Sequence, residues 1–348
     1  MLYLLLTSLA DDVSVFNVFR YQTTRTGLSI MTALIFVFLF GPRIISLLKV
    51  KQGRGQPIRS DGPQRHIVEK QGTPTMGGLL ILFAMTVPFL ILSSHSTAAM
   101  LVLFTTLACG AIGFVDDWMK IVKKRSLGLS GRWKMLALVV IAIALAVIAV
   151  RVVGVPTIID FHVLSYSLEI GPIAFGVVVF LVLAGATNAV NLTDGLDGLA
   201  AGTMAIALLA YVGMTFVVTG QRDMAILAAS LMGACVGFLW FNSYPASIFM
   251  GDTGSFALGG AIAALAVMTK TEVLLIFIGG VFVIEAISVM IQVLVFKRTR
   301  RRVFLMAPVH HHFEMAGWSE TKIIVRFWLI ALVFAGIGFT LFFRTLPA

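Results

Sequence analysis

Two adjacent aspartates are the first candidates for chemistry in this sequence. Asp116 and Asp117 end an apolar segment in the motif GFVDDWMK, and Lys120 follows them by four and three residues. Adjacent residues on a helix point about 100° apart, so we expect the two carboxylates to have different roles. A plain ion pair of Lys120 with an aspartate of its own helix is the alternative.

A second motif, NAVNLTDGLDGL, repeats polar residues at every third position. They are Asn188, Asn191, Asp194 and Asp197. This spacing is close to helical and predicts one polar stripe, while the intervening glycines would let another group approach the backbone. Capping of the next helix accounts for one aspartate, but not for two aspartates and two asparagines.

A third motif, MGDTGSFALGG, places Asp252 at an expected helix start. The free backbone N–H groups and positive dipole end of such a helix suit a phosphate oxygen. No Lys or Arg lies near Asp252 in the sequence, which favours a cation ligand, and hard oxygen ligands favour Mg²⁺. A simple helix cap is the alternative.

Three successive histidines, His310, His311 and His312, occur in PVHHHFE. Consecutive side chains point in different directions, so they do not form the i, i+4 ligand pair of a zinc helix. We expect one or two of them to enter a site as catalytic or phosphate-contacting groups. Glu285, in the middle of an apolar stretch, is either functional or a protonated or Ser-paired acid inside a bundle, and stays unassigned.

Aspartates, lysines, histidines and a divalent cation together indicate phosphoryl transfer, in which cations neutralise charge on the transferring group. Neither a Walker A loop nor a protein-kinase pattern accompanies them. Motifs at the ends of apolar segments predict one substrate in lipid and one in the cytosol.

The elements that must position these groups are membrane helices. Of 348 residues 59% are hydrophobic and 12% charged, which excludes an ordinary soluble domain. Roughly 20 apolar helical residues cross the hydrocarbon, and a helix satisfies its own backbone polar groups. We therefore predict an all-α, polytopic integral membrane protein, a single transmembrane domain over 1–348. Ten spans are expected at about 26–48, 76–93, 97–115, 134–153, 172–190, 199–218, 224–241, 255–269, 273–296 and 324–344.

Basic residues predict the orientation of these spans. Residues 43–70 hold seven Lys and Arg, 116–134 hold six and 297–326 hold seven of the total of 26. Ten spans put these loops on one side, which the positive-inside rule assigns to the cytoplasm, and both termini are then periplasmic. The net charge of +10 thus indicates an anionic membrane face and a phosphorylated substrate, with no role for nucleic acid. The active site is expected from the cytoplasmic loops 43–75, 116–134, 188–199, 242–255 and 297–323.

Several motifs, in this order, carry a family resemblance. DDWMK, NAVNLTDGLDGLAAG, MGDTGSFALGG and PVHHHFE resemble the polyprenyl-phosphate N-acetylhexosamine-1-phosphate transferases. KQGTPTMGG and APVHHHFEMAGW are similar to their bacterial cell-wall branch, the phospho-N-acetylmuramoyl-pentapeptide transferases (translocase I). The resemblance runs from about Asn17 to Arg344.

The resemblance implies an activity and a set of roles. The reaction would move phospho-N-acetylmuramoyl-pentapeptide from its UDP carrier to undecaprenyl phosphate at the bacterial cytoplasmic membrane, giving lipid I and UMP, with Mg²⁺. Catalytic roles would fall on Asp116, Asp117, Asp252, His310, His311 and His312, with Asp252 as the metal ligand. A uridine and nucleotide pocket would draw on Lys70, Asn188, Asn191, Asp194, Asp197, Asn242 and Phe249, with Lys120 and Lys134 near the phosphates. A homodimer is also implied.

Three alternatives stay open at this stage. A sister enzyme would transfer N-acetylglucosamine-1-phosphate, although the PVHHHFE loop favours the muramoyl branch. A secondary transporter would have polar groups near the midplane of the membrane, whereas all of these except Glu285 fall at span ends. For the enzyme, direct attack by the lipid phosphate, oriented or deprotonated by Asp116 or Asp117, competes with a two-step route through an aspartyl-phosphate.

Overall fold

Helices make up most of the part of the protein that the structure describes, as the composition predicts. The computed structural model describes residues 2–53, 55, 72–218 and 220–344. In chain order the helices are α1 (Leu2–Leu9), α2 (Gln22–Gln52), α3 (Gly78–Leu92), α4 (Thr97–Val122), α5 (Gly131–Ile148), α6 (Gly171–Thr193), α7 (Leu199–Val217), α8 (Arg222–Asn242), α9 (Gly251–Thr269), α10 (Leu275–Ile278), α11 (Gly280–Thr299), α12 (Val309–Met315) and α13 (Glu320–Arg344). A 3₁₀ helix (Ser14–Arg20), a π-helical turn (Ala149–Val153) and two strands, β1 (Ile158–Phe161) and β2 (Tyr166–Glu169), complete the described elements.

The predicted spans correspond to helices. Within the described ranges, nine helices are long and apolar enough to cross a membrane, and α3 is a shorter apolar helix of 15 residues. Each of the ten expected spans overlaps one of these ten helices. The prediction of an all-α, polytopic membrane protein is therefore confirmed.

The ninth expected span differs from a continuous helix. It is divided into the short α10 and the longer α11 at Gly279. Glu285 lies on the second turn of α11, where its carboxylate contacts His310 of α12. The carboxylate therefore pairs with the histidine motif instead of standing alone within an apolar bundle.

Helix α9 lies at the centre of the bundle, and 94% of its most apolar 18-residue stretch is buried. Its sequence, GDTGSFALGGAIAALAVMT, is rich in Gly and Ala, so neighbouring backbones can approach closely. A Cβ added at Gly113 of α4, for example, would lie 2.0 Å from the carbonyl oxygen of Asp252. This close approach places the end of α4 directly against the start of α9.

A β-hairpin, which the sequence pattern did not predict, lies at the opposite end of α9. β1 pairs antiparallel with β2, and Lys270, just after α9, donates to the Ile158 carbonyl at 2.6 Å. With 19 residues, α9 is about 28 Å long, which matches the thickness of a hydrocarbon core. Asp252 and the hairpin therefore lie about one membrane thickness apart.

Candidate active site

Two lysines bridge two aspartates where α4, α5 and α9 meet. Lys120 Nζ lies 2.6 Å from Asp116 Oδ2 and 3.0 Å from Asp252 Oδ1. Lys134 Nζ lies 2.9 Å from Asp116 Oδ1 and 2.7 Å from Asp252 Oδ2. Lys120 thus has its expected intrahelical partner, but it also pairs with an aspartate distant in sequence, as Lys134 does. Asp252, which has no basic neighbour in the sequence, has two in space.

Asp117 has a different environment from Asp116. Its Oδ1 accepts a hydrogen bond from the Asp252 backbone N–H at 3.1 Å. Its Oδ2 accepts from the N–H and the hydroxyl of Thr253, at 2.9 and 2.7 Å. A carboxylate at a helix N-terminus satisfies free N–H groups and the helix dipole. Asp117 therefore holds the start of α9 in place. Its hydrogen-bond partners differ from those of Asp116, although Lys120 Nζ also lies 3.8 Å from Asp117 Oδ1.

Asp116 is covered by the segment between α4 and α5. Its Oδ1 accepts from the Leu129 N–H at 2.7 Å, and the space where a Gly128 side chain would stand is taken by the carboxylate. The side chains of Asp116 and Asp117 are 1% and 0% exposed, whereas that of Asp252 is 13% exposed. Asp252 is the most accessible carboxylate of the three.

The three aspartates fit a hard divalent cation. One carboxylate oxygen from each lies within 4.8 Å of the other two. Oxygen-only donors at this spacing suit Mg²⁺ better than softer metals. Two ammonium groups share these oxygens, so three negative and two positive charges are concentrated in one mostly buried cluster.

The polar stripe expected over 188–197 is only partly formed, because α6 ends at Thr193. Asn191 reaches the cluster, where its amide nitrogen donates to Asp252 Oδ1 at 3.2 Å and to the Ser255 hydroxyl at 2.9 Å. Asn188, one turn earlier, instead donates to the Ala184 carbonyl of its own helix. Asp194 lies at the C-terminal cap of α6, beyond the regular helix.

Asp197 and Asn242 hold loops together. Asp197 Oδ2 accepts from the Ala246 N–H at 3.0 Å, and its own N–H donates to Glu320 Oε1 at 2.9 Å. Asn242 Oδ1 accepts from the Gly198 N–H at 3.0 Å, and its amide donates to the Ile248 carbonyl. These contacts join the 194–198 loop to the segment after α8.

The three histidines have different side-chain partners, but the expectation that they point in different directions is wrong for His310 and His311, whose ring centroids lie 4.1 Å apart. His310 is fully buried, with Nδ1 3.1 Å from Glu285 Oε2. His311 Nδ1 lies 2.9 Å from Glu314 Oε2, and its side chain is 12% exposed. His312 Nδ1 accepts from the Leu305 N–H at 3.1 Å, which holds the preceding loop.

The remaining predicted site residues lie in or beside the segment before α3. Lys70 lies outside the described residues. Phe249 donates its N–H to the Pro74 carbonyl, and its carbonyl accepts from the Gly77 N–H. Gln52 adds two bonds to the backbone of Thr75. The conformation of 72–78 is therefore fixed against the segment that leads into α9.

Sequence reasoning missed several residues of this site. Thr253 and Ser255 lie in the motif that marked a helix start, so a local signal for them existed. Gly128, Leu129 and Gln52 carried no signal, because their roles depend on contacts across helices.

Comparisons with known proteins agree with a membrane-embedded transferase. The pattern of Glycosyl transferase family 4 matches residues 99–270, which include the aspartates and lysines of the cluster. Signature 1 of the phospho-N-acetylmuramoyl-pentapeptide-transferases matches residues 70–82, which include the segment packed against Phe249. The fold and the cluster thus define an integral-membrane glycosyl transferase of family 4.

Two curated relatives specify the family. A phospho-N-acetylmuramoyl-pentapeptide-transferase of Maricaulis maris (strain MCS10) is 45% identical over 361 residues, covering 97% of this chain and 98% of the relative. A protein of the same name from Dinoroseobacter shibae (strain DSM 16493 / NCIMB 14021 / DFL 12) is 47% identical over 353 residues, covering 96% and 97%. The chain belongs to the phospho-N-acetylmuramoyl-pentapeptide-transferase family. It is an enzyme, so the transporter interpretation is set aside.

Proposed function

We propose that this enzyme transfers phospho-N-acetylmuramoyl-pentapeptide from its UDP carrier to undecaprenyl phosphate, giving lipid I and UMP, in the bacterial cytoplasmic membrane. The observation that carries the proposal is the convergence of three aspartates and two lysines at one end of a membrane helix bundle. Such a cluster has the charges that a diphosphate donor and a divalent cation require. Its place at a helix end suits a lipid acceptor and a soluble donor.

The site is proposed to face the cytoplasm. The basic segment 120–134 supplies both lysines of the cluster, and the C-terminal part of α2 bonds through Gln52 to Thr75, beside the start of α9. The basic segment 297–302 is expected on the same side from the number of spans. Positive loops are retained on the cytoplasmic side, where the anionic leaflet and the soluble nucleotide donor are found. The proposed active site is built from the segments 43–75, 116–134, 188–199, 242–255 and 297–323 of a single transmembrane domain.

Asp252 is the proposed Mg²⁺ ligand, because it is the most accessible of the three carboxylates and the other two lie within reach. Bound Mg²⁺ would neutralise negative charge on the donor diphosphate and on the departing UMP. Lys120 and Lys134 are the cations paired with Asp116 and Asp252. Once the donor is bound, we expect their ammonium groups to exchange a carboxylate oxygen for a phosphate oxygen.

The geometry favours Asp116 over Asp117 as the residue that orients or deprotonates the lipid phosphate. All the hydrogen bonds of Asp117 go to the start of α9, so moving it would release that helix. Asp116 faces both lysines. In the direct mechanism, an acceptor phosphate oxygen bonds to the sugar-linked phosphorus, and the bond from this phosphorus to UMP breaks. A phosphorylated Asp116, trapped with donor alone, would establish the two-step route instead.

The donor pocket is proposed to use Lys70, Asn188, Asn191, Asp194, Asp197, Asn242 and Phe249, with His310 to His312 closing it. Asn191 is proposed to contact the donor because its amide bonds to Asp252, and His311 because its side chain is partly exposed. Asp197 and Asn242 would act through the loops they join. A homodimer stays a prediction of the family resemblance.

The test is UMP release by the purified enzyme with undecaprenyl phosphate, the muramoyl-pentapeptide donor and Mg²⁺. Asp252→Asn should lower kcat by about a hundredfold or more, because a bound cation contributes several kcal/mol to charge stabilisation. Asp223→Asn is the matched control: this buried aspartate caps the 94–96 segment at the other end of the bundle. Unchanged Mg²⁺-dependent turnover in Asp252→Asn would remove the metal assignment. Faster turnover of the N-acetylglucosamine donor would favour the sister activity.

A further inference from the structure

Glu285, to which the proposed function gives no role, forms a buried pair with His310. Both side chains are 0% exposed, and Oε2 lies 3.1 Å from Nδ1. Among the described residues, neither the two carboxylate oxygens of Glu285 nor the two ring nitrogens of His310 have a hydrogen-bond partner, so this ion-pair contact is the one polar contact of both groups. A carboxylate or an imidazole left unpaired inside a protein is strongly unfavourable, so each group depends on the other for its polar contact.

Ser288, one turn further along α11, adds a second contact between α11 and the start of α12. Its hydroxyl accepts from the Val309 N–H at 3.0 Å and donates to the Glu285 carbonyl at 2.7 Å. Because Val309 is the first residue of α12, Glu285 and Ser288 together fix where the histidine helix begins.

The other side of the His310 ring contacts the loop between α6 and α7. A Cβ added at Gly195 would lie 2.4 Å from His310 Nε2 and 3.3 Å from His311 Nε2. The His310 imidazole is therefore held between Glu285 and the 194–198 loop. That loop follows Asn191, which bonds to Asp252, and it contains Asp194 of the proposed donor pocket.

We propose that Glu285 is a positioning residue, which acts through His310 to hold the 194–198 loop and His311 in the geometry that binds the UDP donor. Its full burial excludes direct contact with substrate. The inference rests on the proposed function for the identity of the donor. When Glu285 is removed, the imidazole loses its orienting partner, and the loop loses the surface that supports it.

The experiment compares four variants by steady-state kinetics with each substrate varied in turn, and by calorimetric titration of UMP without acceptor. Glu285→Ala should raise the donor KM and the UMP Kd about tenfold, the scale of one lost buried polar contact. The acceptor KM should change less than twofold. Glu285→Gln keeps the size of the side chain and an acceptor oxygen, so the donor KM and the UMP Kd should rise less than in Glu285→Ala. Gly195→Ala places a methyl group against the other side of the His310 ring and should also raise the donor KM and the UMP Kd.

The fourth variant combines Glu285→Gln with Gly195→Ala. Because both changes act on one ring, their effects on donor KM should be less than multiplicative. The matched control is Glu272→Gln, which replaces another buried acid, paired with Lys270 at the hairpin end. It should leave the donor KM unchanged.

Loss of active protein lowers the apparent kcat but leaves KM and Kd unchanged, so these constants separate positioning from folding. If Glu285→Ala fails to fold, the donor KM and UMP Kd of Glu285→Gln and Gly195→Ala test the inference instead. Unaltered donor KM and UMP Kd in those two variants would overturn the inference, and wild-type turnover would still support the proposed function. Wild-type protein that binds UMP but does not use the muramoyl donor would overturn the donor assignment alone.

Discussion

At the scale of single residues, Gly128 determines whether Asp116 can keep its partners. A methyl group at this position would lie 2.4 to 2.6 Å from the carboxylate atoms of Asp116. We expect Gly128→Ala to displace the carboxylate from Lys120 and Lys134 and to lower kcat at least tenfold, since small misplacements of catalytic groups are costly. Turnover of UDP donor measures the effect. Gly131→Ala, in open space nearby, should behave as wild type, and equal activity of both variants would contradict the prediction.

Asp117 should matter more for stability than Asp252 does. Asn at 117 presents an N–H₂ group to the donors at the start of α9, which leaves at least one of them without an acceptor. Asp252→Asn keeps a polar side chain at the most exposed position of the cluster. In detergent without Mg²⁺, we expect the Tm of Asp117→Asn to fall by about 5 °C, and that of Asp252→Asn by less. The reverse order would show that Asp117 is not the anchor of α9.

The residues whose side chains could take part in chemistry were predicted from local motifs, but most of their partners were not. Asp116, Asp117, Asp252, Lys120 and Asn191 stand in conspicuous polar motifs, and the structure brings them together. The bonds from Thr253 to Asp117 and from Leu129 to Asp116 join residues that are distant in sequence, or on a turn without a motif. Spacing along one helix carries no information on such contacts.

At the scale of elements, hydropathy located the helices but not their ends. The third expected span stops near 115, whereas α4 continues to Val122. The charges that end the apolar run are paired across helices, so the helix can continue through them. Conversely, the apolar run over 273–296 gives no sign of the helix break at Gly279 between α10 and α11. The hairpin was missed because each strand has only four residues, too few for a clear alternation.

The hairpin adds a pH-dependent contact at the end of the bundle away from the cluster. The His162 ring stacks on Phe342 of α13, with ring centroids 5.9 Å apart. Burial lowers the pKa of His162 below 6.5 and outweighs the Asp160 carbonyl and carboxylate, which favour the charged ring. The folded protein therefore favours neutral imidazole.

Because the folded pKa is depressed, this stabilisation is present above pH 6.5 and is lost as the pH falls through the folded pKa. Relative to His162→Phe, which cannot titrate, we expect the Tm of the wild type to decline between pH 7 and pH 5. Thermal unfolding of both proteins across this range measures the difference. A constant difference in Tm between the two would contradict the prediction.

At the scale of the whole molecule, the described bundle has one end with the charged cluster and an opposite end where α1 and the C-terminal part of α13 lie. The N-terminal segment contacts the start of α2, where Arg25 lies over the Tyr3 ring, and the C-terminal part of α13 contacts the hairpin through Phe342. The sequence predicted both termini on one side from an even number of spans. The positive-inside rule, applied to the basic loops at the cluster end, predicts that this side is periplasmic.

Thiol accessibility would settle the orientation. Cys109 and Cys235 are buried, so a single introduced cysteine reports its own position. In intact spheroplasts, a membrane-impermeant maleimide should label Leu164→Cys, at the exposed turn of the hairpin, and Asp12→Cys near the N-terminus. Lys123→Cys, beside the cluster, should react only after lysis, because the positive-inside rule predicts that the basic loops are in the cytoplasm. Labelling of Lys123→Cys in intact spheroplasts, with the other two protected, would place the site on the outer face and make a cytosolic donor impossible.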